Sequence, residues 1–343
     1  MIVKEIKNKN EWESFLFAQM NTLFVQSWNY GEFYKSMGEE FWVFGIYNEN
    51  GVIIGGSLVV STHAKRGNFL YLPYGPILPD KESEKALNVL VNFIQTFAKE
   101  KRGYDFIKAS PFINDTEENK KIFKRNKFNN APLHILAETT WLLDLSKTEE
   151  ELLEGMNKNH RNLIRRCIRE GVKIEKSKSL ESMNNFLHIY DTTAQRHKFH
   201  KFSDNYIAKE FEAFAQYNQS LLLSARMPND TTVDSAAIIM YYGNTAAYRH
   251  GASLNTDKKL PASYLIQWEA IKEAKARGMK WYNFWGIAPE RASKNHPFWG
   301  ITHFKKGFGG IQKNLLHCQD LPLTGKYYLN WFVETIRKIK RGF

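Results

Sequence analysis

The most informative stretch of this sequence is WYNFWGIAPERASKNHPFWGITHFKKGFGG, residues Trp281–Gly310. It opens with an aromatic run typical of a β-strand, breaks at Gly286 and Pro289, and returns to aromatic residues around Lys305 and Lys306. A lysine among aromatic residues needs water or an anionic partner, because an unpaired buried charge is costly. The stretch therefore predicts a strand that leads into a functional segment. An ordinary aromatic strand pair with a glycine turn is the alternative.

The composition is that of a large basic protein with ample core-forming residues. Its 343 residues exceed the usual size of a single hydrophobic core, so we expect two domains. The chain has 48 Lys and Arg against 36 Asp and Glu, a formal net charge of +12. This excess favours a polyanionic partner such as nucleic acid, a phosphorylated substrate or an anionic membrane. A basic surface that only contacts solvent is the alternative.

Cysteine and histidine usage predicts neither a disulfide framework nor a metal site. Cys167 and Cys318 lie far apart and lack a metal-binding spacing. His197 and His200 are three apart, but no third ligand candidate lies near them in the sequence. The polar N-terminus does not resemble a signal peptide, and no apolar run reaches the ~18 residues that span a bilayer. We therefore expect a cytoplasmic protein.

Two segments of similar length repeat one pattern. Gly75–Pro111 and Gly251–Pro289 each contain a loop with glycine, an amphipathic helix and a strand that ends in proline. Each follows a hairpin signal, with turns at residues 48–51 and at 243–244. The repeat predicts two copies of one mixed α/β fold.

Six motifs occur along the chain in an order that resembles a known family. They are Phe24-Val25-Gln26-Ser27-Trp28, Tyr74-Gly75-Pro76, TTWLLDLSKTEEELLEGMNKNHRNLIRRCIREGVKIE at 139–175, HGAS at 250–253, YNFWGIAP at 282–289 and HPFWGITHFKKGFGG at 296–310. Together they resemble the Fem family of peptidoglycan bridge-forming aminoacyltransferases, over essentially the whole chain. The long coiled-coil insertion of the larger members has no counterpart, so the chain is more similar to the compact FemX type.

The resemblance implies two tandem GNAT-like domains, the acyl-CoA N-acyltransferase-like α/β fold with mixed sheets flanked by helices. We expect the first domain, which would bind the peptidoglycan precursor, at 1–145 plus 317–343. The second, on the aminoacyl-tRNA side, is expected at 146–316. The implied reaction moves Gly, Ala or Ser from aminoacyl-tRNA to the side-chain amine of the stem peptide of lipid II or UDP-MurNAc-pentapeptide.

Coenzyme A is not expected to take part. In acyltransferases of this fold, the loop before the helix normally reads Arg/Gln-x-x-Gly-x-Gly/Ala and binds the pyrophosphate. Neither copy has this pattern, since the loops read YGPIL at 74–78 and GASL at 251–254. The resemblance implies aminoacyl-tRNA as co-substrate, and we expect no cofactor and a monomeric protein.

The resemblance also implies site residues in both halves. Lys305 and Phe304 match a pair near the tRNA acceptor end, where an ammonium can stabilise an oxyanion or a phosphate and a ring can stack on a base. Lys35 is similar in position to the pyrophosphate-binding lysine of the family; a solvated lysine at a helix end is the alternative. The remaining substrate-binding candidates are Tyr74, Lys201, Tyr206, Tyr248 and His250.

The chain departs from the family pattern at two positions. The family has a phosphate-binding arginine four residues before a tyrosine, whereas four residues before Tyr206 this chain has Phe202. Lys201 or Arg196 are the candidates to replace it. Where the family often has an acidic residue before proline, this chain has Ser110, which excludes a carboxylate base there. For His250, a catalytic or peptide-binding role and an ordinary strand-end histidine both stay open.

Two basic segments complete the prediction. Arg161, Arg165 and Arg166 fall mostly on one face of a helix at 158–169, and we expect them to contact tRNA phosphates unless the helix is only solvated. The C-terminal helix, about 325–341, ends in basic residues and would either touch the anionic inner face of the membrane or form a plain cationic end. A Fem-like N-acyltransferase with another acceptor or a thioester donor, and a catalytically silent module that binds tRNA or precursor, are the rival functions.

Overall fold

The computed structural model describes residues 1–65, 67–197, 199–228, 232–290, 292, 294, 296 and 298–341. The chain divides into two compact units. The first comprises Met1–Gln19, Leu23–Glu138 and Lys313–Phe343, and the second comprises Met20–Thr22 and Thr139–Gln312. None of the described helices is long and apolar enough to cross a membrane.

The first unit is built on a seven-stranded sheet. Its strands are β1 (Ile2–Glu5), β2 (Phe41–Tyr47), β3 (Ile53–Thr62), β4 (Phe69–Tyr74), β5 (Phe106–Pro111), β6 (Asn129–Asn130) and β14 (Gln319–Pro322). Its helices are α1 (Lys9–Phe17), α2 (Trp28–Ser36), α3 (Ser83–Lys101), α4 (Glu117–Arg125) and α11 (Tyr327–Arg341). The strand order is β1-β2-β3-β4-β5-β14-β6, and every neighbouring pair is antiparallel except β4 and β5.

Local sequence explains the elements of this unit. Gly51 takes a φ of 74° in the turn between β2 and β3, a conformation that glycine adopts without strain. On α3, Leu90 and Ile94 recur at helical spacing and pack with Phe44 and Leu70 of the sheet in one core cluster. Hydrophobic burial on one helix face thus fixes α3 against the sheet.

The second unit is built on another seven-stranded sheet. Its strands are β7 (Thr139–Asp144), β8 (Lys173–Ser177), β9 (Ser220–Arg226), β10 (Val233–Tyr242), β11 (Thr245–Ser253), β12 (Trp281–Gly286) and β13 (Ile311–Asn314). Its helices are α5 (Glu149–Glu154), α6 (Lys158–Arg169), α7 (Leu180–His197), α8 (Asp204–Ala215), α9 (Ala262–Ala276) and α10 (Trp299–Lys306). The strand order is β13-β7-β12-β11-β10-β9-β8.

The two sheets repeat one plan. In each, antiparallel strands lead to one parallel pair whose members are joined by a long helix, β4–α3–β5 in the first unit and β11–α9–β12 in the second. A further antiparallel strand covers the other side of that pair, β14 on β5 and β7 on β12. The predicted duplication of a mixed α/β fold is confirmed.

The parallel pairs of the two units end differently. β4 and β5 remain paired along the whole of β4. β11 and β12 pair only at residues 245–247 of β11, although both strands continue beyond that point. The second pair therefore opens toward its carboxyl end, which is where α/β proteins bind ligands.

Two sequence-based boundaries require correction. The second unit begins at Thr139 rather than at residue 146, because β7 pairs with β12 and so belongs to the second sheet. The unit ends at Gln312 rather than at residue 316, because Lys313–Phe343 belongs to the first unit. Thr148 and Glu151 form the capping box that opens α5, and the Ser146 backbone donates to the side chain of Asp144 in the preceding turn.

Candidate active site

The open end of β12 is shaped by Trp285, which takes a φ of 67°. This left-handed conformation is strained for a bulky residue. The Trp285 amide donates to Asn283 Oδ1 at 2.8 Å, and Thr140 Oγ1 donates to the same oxygen at 2.5 Å. The pairing of β12 with β7 is irregular between Asn283 and Gly286. The bulge therefore holds Gly286 in a fixed position at the end of the strand.

Lys305 meets this bulge from α10. Its Nζ donates to the Gly286 carbonyl at 2.7 Å and lies 5.6 Å from the centre of the Tyr248 ring. The residue is only 5% exposed, and no carboxylate of the described residues lies within ion-pair distance of it. Burial lowers the pKa of Lys305 to about 7. Among the described residues the amine meets a backbone carbonyl rather than a carboxylate, so its surroundings favour the neutral form more than usual for a lysine.

Helix α10 is fastened at both ends. Near its start, Thr302 Oγ1 accepts from the Ala288 amide at 2.7 Å and donates to the Phe298 carbonyl at 2.6 Å. Near its end, His160 Nε2 lies 2.9 Å from the Phe304 carbonyl. Gly307 follows the helix with no room for a side chain, since an added Cβ would lie 1.9 Å from the His160 ring. These contacts hold Lys305 in place.

The Phe304 ring lies in an aromatic cluster. It packs edge-on against Tyr264, with ring centres 4.9 Å apart, and against Phe308 at 5.3 Å. The ring is half-buried, so one part of it still faces outward. The predicted stacking on a nucleic-acid base would have to use that part.

Behind the open strand end lies a buried charged network. Arg249 donates to both Glu210 oxygens at 2.8–3.1 Å, and His250 Nε2 lies 3.0 Å from Glu210 Oε2. Burial alone would raise the pKa of Glu210, but the Arg249 charge and the His250 hydrogen bond outweigh it and lower the pKa to about 2. Ionised Glu210 can only accept, so His250 Nε2 carries the hydrogen. Burial lowers the pKa of His250, which favours its neutral form.

Arg249 lies beside Phe202, the residue at which the chain departs from the family pattern. Its guanidinium carbon lies 5.5 Å from the centre of the Phe202 ring and 5.3 Å from that of Trp285. Its Nη2 lies 3.5 Å from the Tyr206 hydroxyl, and the Tyr206 ring stacks on Phe202 at 4.6 Å. Arg249 was not among the predicted site residues. Its only signal was a basic residue directly before the HGAS motif.

The two residues predicted to replace the missing arginine are already engaged. Lys201 forms ion pairs with Asp191 and, at 2.6 Å, with Asp204. Arg196 donates to the carbonyls of Ser253 and Leu254, both at 2.8 Å. Lys201 thus has its charge compensated, and Arg196 holds the chain after β11.

The basic residues of α6 have different surroundings. Arg161 donates to carbonyls around the end of α5, to Glu154 at 2.8 Å and to Met156 at 2.5 Å, and so caps that helix. Arg166 is exposed and donates to the Lys259 carbonyl at 3.3 Å. Arg165 is exposed. Arg165 and Arg166 thus have the accessible guanidinium groups that tRNA contacts would need.

In the first unit, Lys35 and Tyr74 lie in separate surroundings. Lys35 is exposed in the last turn of α2, where it lines a cleft with Trp28 and Phe41. Tyr74 is buried at the end of β4, and its hydroxyl donates to the Ala137 carbonyl at 2.8 Å. Tyr74 is therefore part of the scaffold in this conformation, whereas Lys35 is accessible.

Matches to known proteins extend over most of the chain. A family model described as the FemAB family matches residues 8–141, 129–230 and 223–329. A lipid II:glycine glycyltransferase of Staphylococcus epidermidis (strain ATCC 35984) is 21% identical over 351 aligned residues, covering 82% of this chain and 83% of the relative.

Solved structures share the fold. A crystal structure of FemX superposes with a TM-score of 0.84 at 17% identity, covering 97% of this chain and all of that one. A tandem GNAT protein from the clavulanic acid biosynthesis pathway gives a TM-score of 0.51 at 10% identity, with 83% of each chain covered. The fold is therefore that of tandem GNAT-like proteins, as the sequence predicted.

Proposed function

Since this chain belongs to the FemAB family and is an aminoacyltransferase of peptidoglycan bridge formation, we propose that it moves Gly, Ala or Ser from aminoacyl-tRNA to a stem-peptide amine. The acceptor is lipid II or UDP-MurNAc-pentapeptide. The names of the relatives favour glycine and lipid II. The reaction as proposed takes place in the cytoplasm and needs no cofactor, because the ester of the charged tRNA is already activated.

The observation that carries the proposal is a buried lysine at the open strand end. Transfer forms a bond between the acceptor nitrogen and the ester carbon and breaks the bond from that carbon to the ribose oxygen of the tRNA. The amine gives up a proton, and the ribose oxygen gains one. With a pKa of about 7, Lys305 can stabilise the oxyanion as an ammonium and pass a proton to the departing ribose oxygen.

We assign the second basic position of the site to Arg249 rather than to Lys201. The guanidinium of Arg249 rests on Phe202 and reaches the Tyr206 hydroxyl, while the charge of Lys201 is compensated by two carboxylates. Glu210 offsets the charge of Arg249. Arg249 would therefore act as an oriented hydrogen-bond donor more than as a net positive charge.

Accessible basic residues serve the two anionic substrates. In the first unit, Lys35 is proposed to contact the diphosphate of the precursor, because it is exposed at the end of α2. In the second unit, Arg165 and Arg166 are proposed to contact tRNA phosphates, and their contribution should weaken with added salt.

The test is transfer of radiolabelled Gly, Ala or Ser from charged tRNA to lipid II and, separately, to UDP-MurNAc-pentapeptide. Lys305→Met keeps the length of the side chain and removes the amine. Lys306→Met is the matched control on the same helix, since Lys306 Nζ donates to Gln312 outside the site. We expect transfer to at least one acceptor, a loss of about a hundredfold or more in Lys305→Met, and little change in the control.

Two outcomes would overturn the proposal. Equal activity of wild type and Lys305→Met would remove the lysine from the chemistry. Salt-sensitive tRNA binding without transfer to either acceptor would indicate another amine acceptor or a silent binding module.

A further inference from the structure

Helix α11 is attached to the first unit by polar contacts. Glu334 lies 3.5 Å from the buried Lys108 Nζ, which pairs with Asp320 at 2.9 Å. The hydroxyl of Tyr327 donates to Asp320 at 3.3 Å, and Asn330 is buried on the same side of the helix. These contacts fix which face of α11 turns toward the sheet.

The opposite face of α11 is apolar and exposed. Successive residues of an α-helix are rotated by about 100° about its axis. On this basis, the side of α11 opposite Tyr327 and Glu334 contains no charged side chain. The exposed hydrophobic residues of α11 are Tyr328, Leu329, Trp331, Phe332, Ile336 and Ile339, with exposed fractions from 37% for Ile336 to 75% for Ile339. A helix that covers a core normally shows the reverse arrangement, so this face is built to contact something else.

The charge of α11 indicates what binds its apolar face. Arg337, Lys338 and Lys340 are exposed in the last turns of α11, and no ion pair among the described residues involves them. Exposed Trp and Tyr beside apolar residues and a basic cluster are the features of helices that lie in a membrane interface. A second copy of this chain carries the same formal net charge of +12, so association through α11 would bring two strongly basic molecules together, which disfavours a dimer.

We propose that α11 docks this protein onto an anionic lipid surface, with Phe332, Ile336 and Ile339 in the headgroup region. The benefit of docking rests on the proposed function. An enzyme bound to the membrane surface would meet a lipid-linked acceptor where that acceptor resides. The docking itself is a separate property and can be measured without any transfer reaction.

The experiment is co-sedimentation of the full-length protein with vesicles of phosphatidylcholine alone and with vesicles containing phosphatidylglycerol. One variant changes Phe332, Ile336 and Ile339 to Gln, and its control changes the exposed Ile2, Phe17 and Val52 to Gln. A second variant changes Arg337, Lys338 and Lys340 to Gln, and its charge-matched control changes Lys99, Lys121 and Lys124 to Gln. Folding of each is checked by circular dichroism.

We expect wild type and both controls to bind the anionic vesicles. Binding should fall by about a hundredfold in the charge variant, since each basic residue near such a surface contributes about 1 kcal/mol. The apolar variant should not bind, while any transfer to the soluble UDP-linked precursor that the wild type shows stays unchanged. Equal binding of variants and controls, or a wild type that ignores lipid charge, would overturn the proposal. So would a dimer that the apolar variant abolishes. Vesicle docking without any transfer would instead count against the proposed function alone.

Discussion

Lys305→Met should stabilise this protein while it abolishes transfer. Burial of Lys305 lowers its pKa from the usual 10.5 to about 7, so the folded state loses a proton that the unfolded state keeps. A methionine of similar length fills the same space without this cost. Active-site residues often lower stability in exchange for activity. Lys305 would be such a residue, since its burial destabilises the fold and the proposed transfer requires it.

The magnitude follows from the pKa. Between pH 7 and pH 10.5 the unfolded chain binds more protons at Lys305 than the folded protein does, so stability rises with pH across this window. At 1.36 kcal/mol per pKa unit, the wild type lacks on the order of 4 kcal/mol at pH 7 relative to high pH. The methionine variant has no such dependence. Its advantage over wild type should therefore shrink by about 1 kcal/mol for each pH unit from 7 to 9.

The assay is urea unfolding followed by circular dichroism at pH 7, 8 and 9, for wild type, Lys305→Met and the control Lys306→Met. Loss of the hydrogen bond to the Gly286 carbonyl adds a constant of about 1 kcal/mol, which leaves the slope unchanged. A difference between wild type and Lys305→Met that does not change from pH 7 to pH 9 would refute the reasoning, because the lysine would then titrate outside this window.

Two further substitutions test the surroundings of the lysine. Gly307→Ala should cost about 1–3 kcal/mol in urea unfolding and lower the transfer rate, because its Cβ would lie 1.9 Å from His160 at the end of the helix that carries Lys305, the proposed catalytic residue. Gly300→Ala, in the same helix with nothing within 4 Å of the added Cβ, should be neutral or slightly stabilising. Arg249→Gln should cost about 3–5 kcal/mol, because it leaves Glu210 buried and ionised without its main partner. Adding Glu210→Gln should recover part of that loss, and a purely additive double variant would contradict the coupling.

The repeated fold was predictable because its signals are local. The turn glycines, the spacing of apolar residues on α3 and α9, and the prolines near the ends of β5 and β12 all act within a few residues. The resemblance to the Fem family added Lys305 and Phe304 through a contiguous motif. Each of these inferences needed only neighbouring residues in the chain.

The features of the fold and site that the sequence did not predict depend on contacts between residues that are distant in the chain. β7 reads as an ordinary strand, and only its pairing with β12 assigns it to the second unit. The network of Arg249 with Glu210 joins β11 to α8 across 39 residues, so no local pattern predicts it. Lys305 lies on α10, and its burial depends on Gly286 of β12 and Tyr248 of β11, which are distant in the sequence.

The difference between the two copies of the fold argues for where the chemistry takes place. In the first unit, β4 and β5 pair to their ends, and Ser110 there is buried and bonded to the Tyr71 hydroxyl at 3.2 Å. In the second unit, the matching strands stop pairing early, Trp285 is held in a strained conformation and Lys305 is buried at a cost in stability. Strain and a buried ionisable group are expensive and persist where they serve function. One copy is a closed scaffold, and the other opens the matching strand pair around a lysine, so we propose that the acyl-transfer step takes place in the second copy.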